Sequence, residues 1–125
     1  MIRRNRMRCL SLLALLVPGP ALAQEADPLP PVSLEQRMLL RCSAAFSIIA
    51  GRQDHGDEEA QQYPPLAERG MEFFVQSSAQ VMDGTGMDID QLAQALEREG
   101  LQMLEDDELD AIMPVCLQLL DQSGL

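Results

Sequence analysis

From Ser33 onward apolar residues recur at three- and four-residue spacing, and no stretch alternates long enough to read as a strand. The first periodic segment opens with SLEQ, where Ser33 caps a helix and Gln36, three residues on, reaches back to complete a capping box. Leu34, Met38, Cys42, Ala45, Phe46 and Ile49 then fall on one face of that helix. Between Cys42 and Ala50 only Ser43 and Ser47 interrupt the apolar run. A helix apolar nearly all round belongs at the centre of its domain or beneath a partner. The pattern predicts that it ends or loosens at Gly51.

The polar stretch RQDHGDEEAQQYPP reads as a loop with room for one helical turn from Asp57 to Gln62. Pro64 or Pro65 can open the second helix, where a missing N–H costs nothing. Leu66, Gly70, Phe73, Phe74, Ser77 and Val81 make its stripe. Gly70 in mid-helix costs about 1 kcal/mol relative to alanine, which suggests a second helix passing close. DGTG, Asp83 to Gly86, stops this helix. A second capping box, DIDQ, opens the third, with Ile89, Leu92, Leu96, Met103 and Leu104 on its apolar face and a weak point at Gly100. The acids Glu105 to Glu108 suit the N-terminus of a fourth helix. Leu109, Ile112, Met113, Cys116, Leu119 and Leu120 form its stripe, and Pro114 should kink or split it. The predicted class is all-α, a small four-helix arrangement.

The first 32 residues have a different character. Arg3, Arg4, Arg6 and Arg8 precede an apolar run from Cys9 to Val17; Pro18 and Gly19 break it, and Ala21 to Ala23 supply small residues. Basic, apolar and small, in that order, is the pattern of a secretory signal peptide over residues 1–23. The run is far shorter than the roughly 20 residues that cross a bilayer. Arg3-Arg4 leaves the twin-arginine route open beside the general one. Residues 24–32, QEADPLPPV, read as a flexible lead-in, and 33–125 as a single helical domain. The expected localisation is periplasmic or secreted.

Cleavage would change two properties. Cys9 would leave with the leader, so Cys42 and Cys116 would remain, and two cysteines in an exported chain this small read as one disulfide. That bridge staples the first helix to the last. Four of the nine basic residues lie before residue 24 and all 20 acidic ones after it, which gives the remaining 102 residues a net charge of −15. Such a charge keeps a small domain soluble and disfavours nucleic acid and anionic lipid as partners.

Candidate chemistry is sparse. His55 sits in a polar loop without the apolar lining a general base needs to exclude water. There is no lysine for Schiff-base or Ser-Lys chemistry. DGTGMDID carries Asp83, Asp88 and Asp90 but fails the EF-hand spacing, and neither cysteine has a second ligand pair nearby. Met38, Met71, Met82, Met87, Met103 and Met113 are scattered, which suits core filling better than copper binding. No catalytic residue, metal ligand or cofactor is expected.

The pattern CSAAF…YPPLAERG…FF…MPVC resembles that of a group of small exported bacterial single-disulfide helical proteins of unknown function, and the resemblance covers most of the chain after the leader, from Cys42 to Cys116. The resemblance implies a helical domain with one disulfide and brings no activity with it. In architecture alone, an acidic single-disulfide helical chain is also similar to the acid-stress chaperones of the periplasm. The expectation is a non-enzymatic envelope protein that binds another protein or its own copy. Its candidate surface is the face of helix one around Leu40, Ala44 and Ile48, together with the corner Tyr63, Pro64 and Pro65. The alternative is a chaperone switched by acid, exposing its Leu- and Met-rich stripes as the carboxylates lose charge near pH 4. An enzyme without a recognisable motif is the third reading.

Overall fold

The computed structural model describes residues 28–125 and, before them, Gly19; the rest of the expected leader lies outside the described residues. Four helices follow one another: α1 Leu34–Asp54, α2 Arg69–Thr85, α3 Ile89–Glu105 and α4 Leu109–Gln122, with a single 3-10 turn at Ala60–Gln62 between the first two. No strand occurs among the described residues.

Both capping boxes form. Ser33 Oγ accepts the Gln36 N–H at 3.1 Å while the Ser33 N–H donates to Gln36 Oε1 at 2.8 Å. Asp88 and Gln91 repeat the exchange at 2.8 and 3.1 Å. The α2 helix closes on Gly86, whose φ of 74° is the left-handed conformation that glycine adopts without a Cβ penalty.

The apolar α1 is the axis of the fold, and α2, α3 and α4 each pack on it. Its C-terminal half anchors the larger core cluster, where Phe46 and Ile49 meet Leu66, Phe73, Met103, Met113 and Leu120. Its N-terminal half, through Leu40, meets Val81, Met87, Leu92 and Ala95 at the α2–α3 hairpin. Gly70 allows the closest approach: a Cβ built there would stand 3.2 Å from Phe46 Cβ. The bridge between Cys42 and Cys116 joins α1 to α4 with the two Cα atoms 5.2 Å apart. A bridge of this kind is characteristic of an oxidising compartment.

Several boundaries differ from the sequence pattern. Helix α1 runs through Gly51 to Asp54, because the missing side chain faces open space and nothing there forces an end. Regular α2 begins at Arg69 and not at Pro64 or Pro65. Tyr63 is extended, at φ −85° and ψ 155°, and the first helical bond of the segment runs from the Gly70 N–H to the Leu66 carbonyl. The acidic run straddles two helices: Glu105 ends α3, Asp107 turns the chain at φ 54°, and only Glu108 stands at the start of α4. Pro114 does not split α4, which is one helix from Leu109 to Gln122. Its missing N–H orphans the carbonyl of Asp110, on an exposed residue where water can serve it. Leu34 and Ile89, at 79% and 72% exposure, fall off their stripes, since each sits in a first turn that reaches past its neighbours. The lead-in is held down at its end, with Leu29 and Val32 packed against the hairpin cluster.

Candidate functional site

The residues singled out on α1 part company. Leu40 and Ala44 are 3% and 8% exposed, covered for the most part by the chain's own helices, so each forms only the floor of a recess and not an open face. Ile48 stays half-exposed. Pro64 and Pro65 are exposed, whereas Tyr63 is half-buried and its hydroxyl donates to Asp110 Oδ1 at 2.6 Å.

That corner is fixed by Gln53. Its Nε2 faces the carbonyls of Ala60, Tyr63 and Pro64 at 3.1, 3.3 and 3.0 Å, and its Oε1 accepts the Leu66 N–H at 3.1 Å. One side chain thus satisfies the backbone of a loop that has no ladder of its own. The sequence carries no signal for this role, because a glutamine near a helix end looks like any solvated residue.

Partial burial, and then the hydrogen bond and charge of Asp110, push the Tyr63 phenol up to about 12. The fold favours the neutral phenol. Tyr63 therefore contributes stability in full below its ordinary value of 10.0, and that contribution is lost as pH climbs through about 12. Tyr63 is the chain's one tyrosine, and there is no tryptophan, so phenolate absorbance reads this contact alone. Asp110→Asn is expected to lower the titration midpoint while leaving it above the ordinary value, because the burial persists. An unshifted midpoint in the parent protein would show that the corner is not docked on α4.

A broad apolar surface lies elsewhere. Between α2 and α3, floored by Ala44, Ser47 and Ile48 of α1, runs a groove of about 320 Å³ walled by Phe74 on one side and Leu96, Leu101 and Leu104 on the other. Gly100 lies in this wall, where a Cβ would stand 3.7 Å from that of Ala44, so α3 sits low on α1. Through Ser47 and Phe74 the groove joins a depression of about 160 Å³ over Phe46 and Gly70. Through Met71 that depression meets a third, of about 400 Å³, beside Val75 and Leu125. The result is one apolar strip across three helices. Met71 and Val75 are each 60% exposed, Leu101 53% and Leu104 44%. Among the described residues, the charged ones lining it are Glu72 and Glu97. The periodicity places Leu104 on the core face of α3 and puts Met71, Val75 and Leu101 on no stripe. Their signal in the sequence is an apolar residue one position off the buried face of its helix.

Opposite charges concentrate on another side. Glu99 is buried between α1 and α3, and both of its oxygens are engaged: Oε1 by Arg37 Nε at 3.2 Å and Oε2 by Arg41 Nη1 at 3.3 Å. Arg41 also pairs with Glu108, and Arg37 Nη2 donates to Gln102 Oε1 at 3.3 Å. Arg69 ties α2 to the end of α4 through Asp121 and the Leu125 carbonyl.

His55 is exposed and serves as the C-cap of α1, its Nδ1–H donating to the Gly51 carbonyl at 2.7 Å. Among the described residues no group of three or more histidine, cysteine or acidic side chains is placed to hold a metal ion, and no helix is long and apolar enough to cross a membrane. No protein-family model, no curated protein and no solved structure matches the chain.

Proposed function

We propose that this is an exported, non-enzymatic helical protein that binds another protein, and that it does so along the strip across α1, α2 and α3. The observation that carries this reading is the continuity of that strip. Isolated exposed leucines are ordinary, but apolar patches that join over several elements mark sites of association. The groove has two helical walls and a helical floor, which is the shape that receives one more amphipathic helix. A partner with a basic flank fits best, since Glu72 and Glu97 are the charges on the strip. A second copy fits worse, because two strips face to face would bring four carboxylates together.

The test uses a Leu/Lys amphipathic helical peptide as probe and compares the parent protein with a Val75→Glu/Leu101→Glu variant. Both residues are exposed, so the fold tolerates the change. The substitutions add negative charge and remove apolar surface, so the two kinds of attraction move in opposite directions. Docking on the strip predicts binding at least about tenfold weaker in the variant. Equal or tighter binding would mean that charge alone attracts the peptide, and the reading would fall.

A further inference from the structure

A second recess, distinct from the strip, lies where the lead-in crosses the α1–α3 seam. Its volume is about 310 Å³, at the small end of the roughly 300–1,000 Å³ typical of small-molecule sites. Leu29 to Val32 form a strap along one side, and Leu40, Met87 and Ala95 supply an apolar floor. Four polar side chains line it: Arg37, Arg98, Glu99 and Gln102.

The hydrogen-bonding capacity left over in this recess is one-sided. Glu99 would repel an anion, but its two oxygens are already held by Arg37 and Arg41. The Gln102 oxygen is occupied by Arg37 Nη2, which leaves its amide N–H groups to give. Arg98 pairs with no carboxylate among the described residues, although the chain carries 20 acidic residues. The two groups in the recess with no side-chain partner, the Arg98 guanidinium and the Gln102 amide N–H groups, are therefore both donors, set beside an apolar floor. Arg37 and Glu99 offset one another, so Arg98 leaves this wall locally positive in a strongly acidic molecule.

We infer that this recess binds a small amphiphilic carboxylate, with the acid group on Arg98 and Gln102 and the apolar body on Leu40, Met87 and Ala95 beneath the Leu29–Val32 strap. Guanidinium recognises carboxylate through parallel N–H donors, and such charge-assisted bonds are the stronger kind. The inference does not depend on what the strip binds, since among the described residues no arginine lines the strip.

Titration calorimetry on the oxidised protein tests it with three probes: sodium octanoate, octanamide and sodium acetate. Octanoate should bind at one site with a dissociation constant of about 1 mM or tighter. Octanamide keeps the apolar body without the charge, and acetate keeps the charge without the body; each should bind at least about tenfold more weakly. Arg98→Gln should weaken octanoate by about tenfold and leave octanamide unchanged, and Arg98→Lys should restore part of the loss. Arg98 is exposed, so the variants should fold as the parent does. Octanoate bound no better than octanamide, or bound equally by Arg98→Gln, would overturn the carboxylate site. Acetate binding as well as octanoate would overturn the amphiphilic class.

Discussion

Replacing Cys42 and Cys116 together by alanine is expected to lower the stability of the domain by about 4 kcal/mol. The bridge closes a sequence separation of 74 residues, so it restricts most of the unfolded domain and leaves native packing nearly untouched. With a urea slope of roughly 2 kcal/mol per molar for a domain this small, the unfolding midpoint should fall by about 2 M. Both cysteines are fully buried, so truncating them adds a small packing loss in the same direction. Native domains are stable by only about 5–15 kcal/mol, and the variant would therefore be marginal at physiological temperature. Reduction by a thiol should match the double substitution. A midpoint shift below about 0.5 M would mean that the unfolded chain is already compact around these two segments, and the entropic account would fail.

Without the bridge, α4 depends on its apolar stripe and on three polar ties to the rest of the fold: Tyr63 with Asp110, Arg41 with Glu108, and Arg69 with Asp121. At least one partner in each pair is exposed, and exposed ion pairs contribute about 0–1 kcal/mol each. Helix α4 is then the element expected to loosen first. Met113 and Leu120 would then leave Phe46 and Ile49 uncovered.

The features that sequence reading recovers are those encoded within a few residues. Ser33 with Gln36 and Asp88 with Gln91 spell the starts of α1 and α3, Gly86 spells the end of α2, and the glycine at 70 marks the close crossing with Phe46. What it misses depends on partners far along the chain. Arg41 and Glu99 are 58 positions apart, so nothing local pairs them. Glu105 to Glu108 have the composition of a helix start, but the turn at Asp107 assigns half of the run to the end of α3, where the macrodipole disfavours negative charge. The candidate surface on α1 shows the same limit. Periodicity states that Leu40, Ala44 and Ile48 face away from the disulfide, but it cannot tell that the neighbouring helices bury Leu40 and nearly bury Ala44, and leave a groove floored by Ala44 and Ile48. In the sequence the strip shows only as leftovers, with Met71, Val75 and Leu101 being apolar residues that belong to no stripe.

Phe46→Ala is expected to cost about 4 kcal/mol, near the upper part of the range for removing a buried ring. Phe46 is 1% exposed, and its ring meets that of Phe73 edge-on, with centroids 5.2 Å apart and planes at 78°. The size of the loss depends on whether the surroundings can collapse into the vacancy. Two contacts oppose that. Helix α1 is pinned one turn earlier by the bridge at Cys42, and α2 already crosses so close that a Cβ added at Gly70 would stand 3.2 Å from the Phe46 Cβ, an atom that alanine retains. The cavity should therefore stay open, and Phe46→Leu, which fills much of it, should cost only about 1.5 kcal/mol. Chemical denaturation of the three proteins with the disulfide intact separates the cases. A loss below about 2 kcal/mol for alanine would mean that α1 and α2 close together after all. Because Phe46 also floors the middle depression of the apolar strip, that closure would cut the strip in two and weaken peptide binding as well. A large loss of stability with binding retained would show instead that the Gly70 crossing is rigid and holds the strip open whether or not the ring beneath it is present.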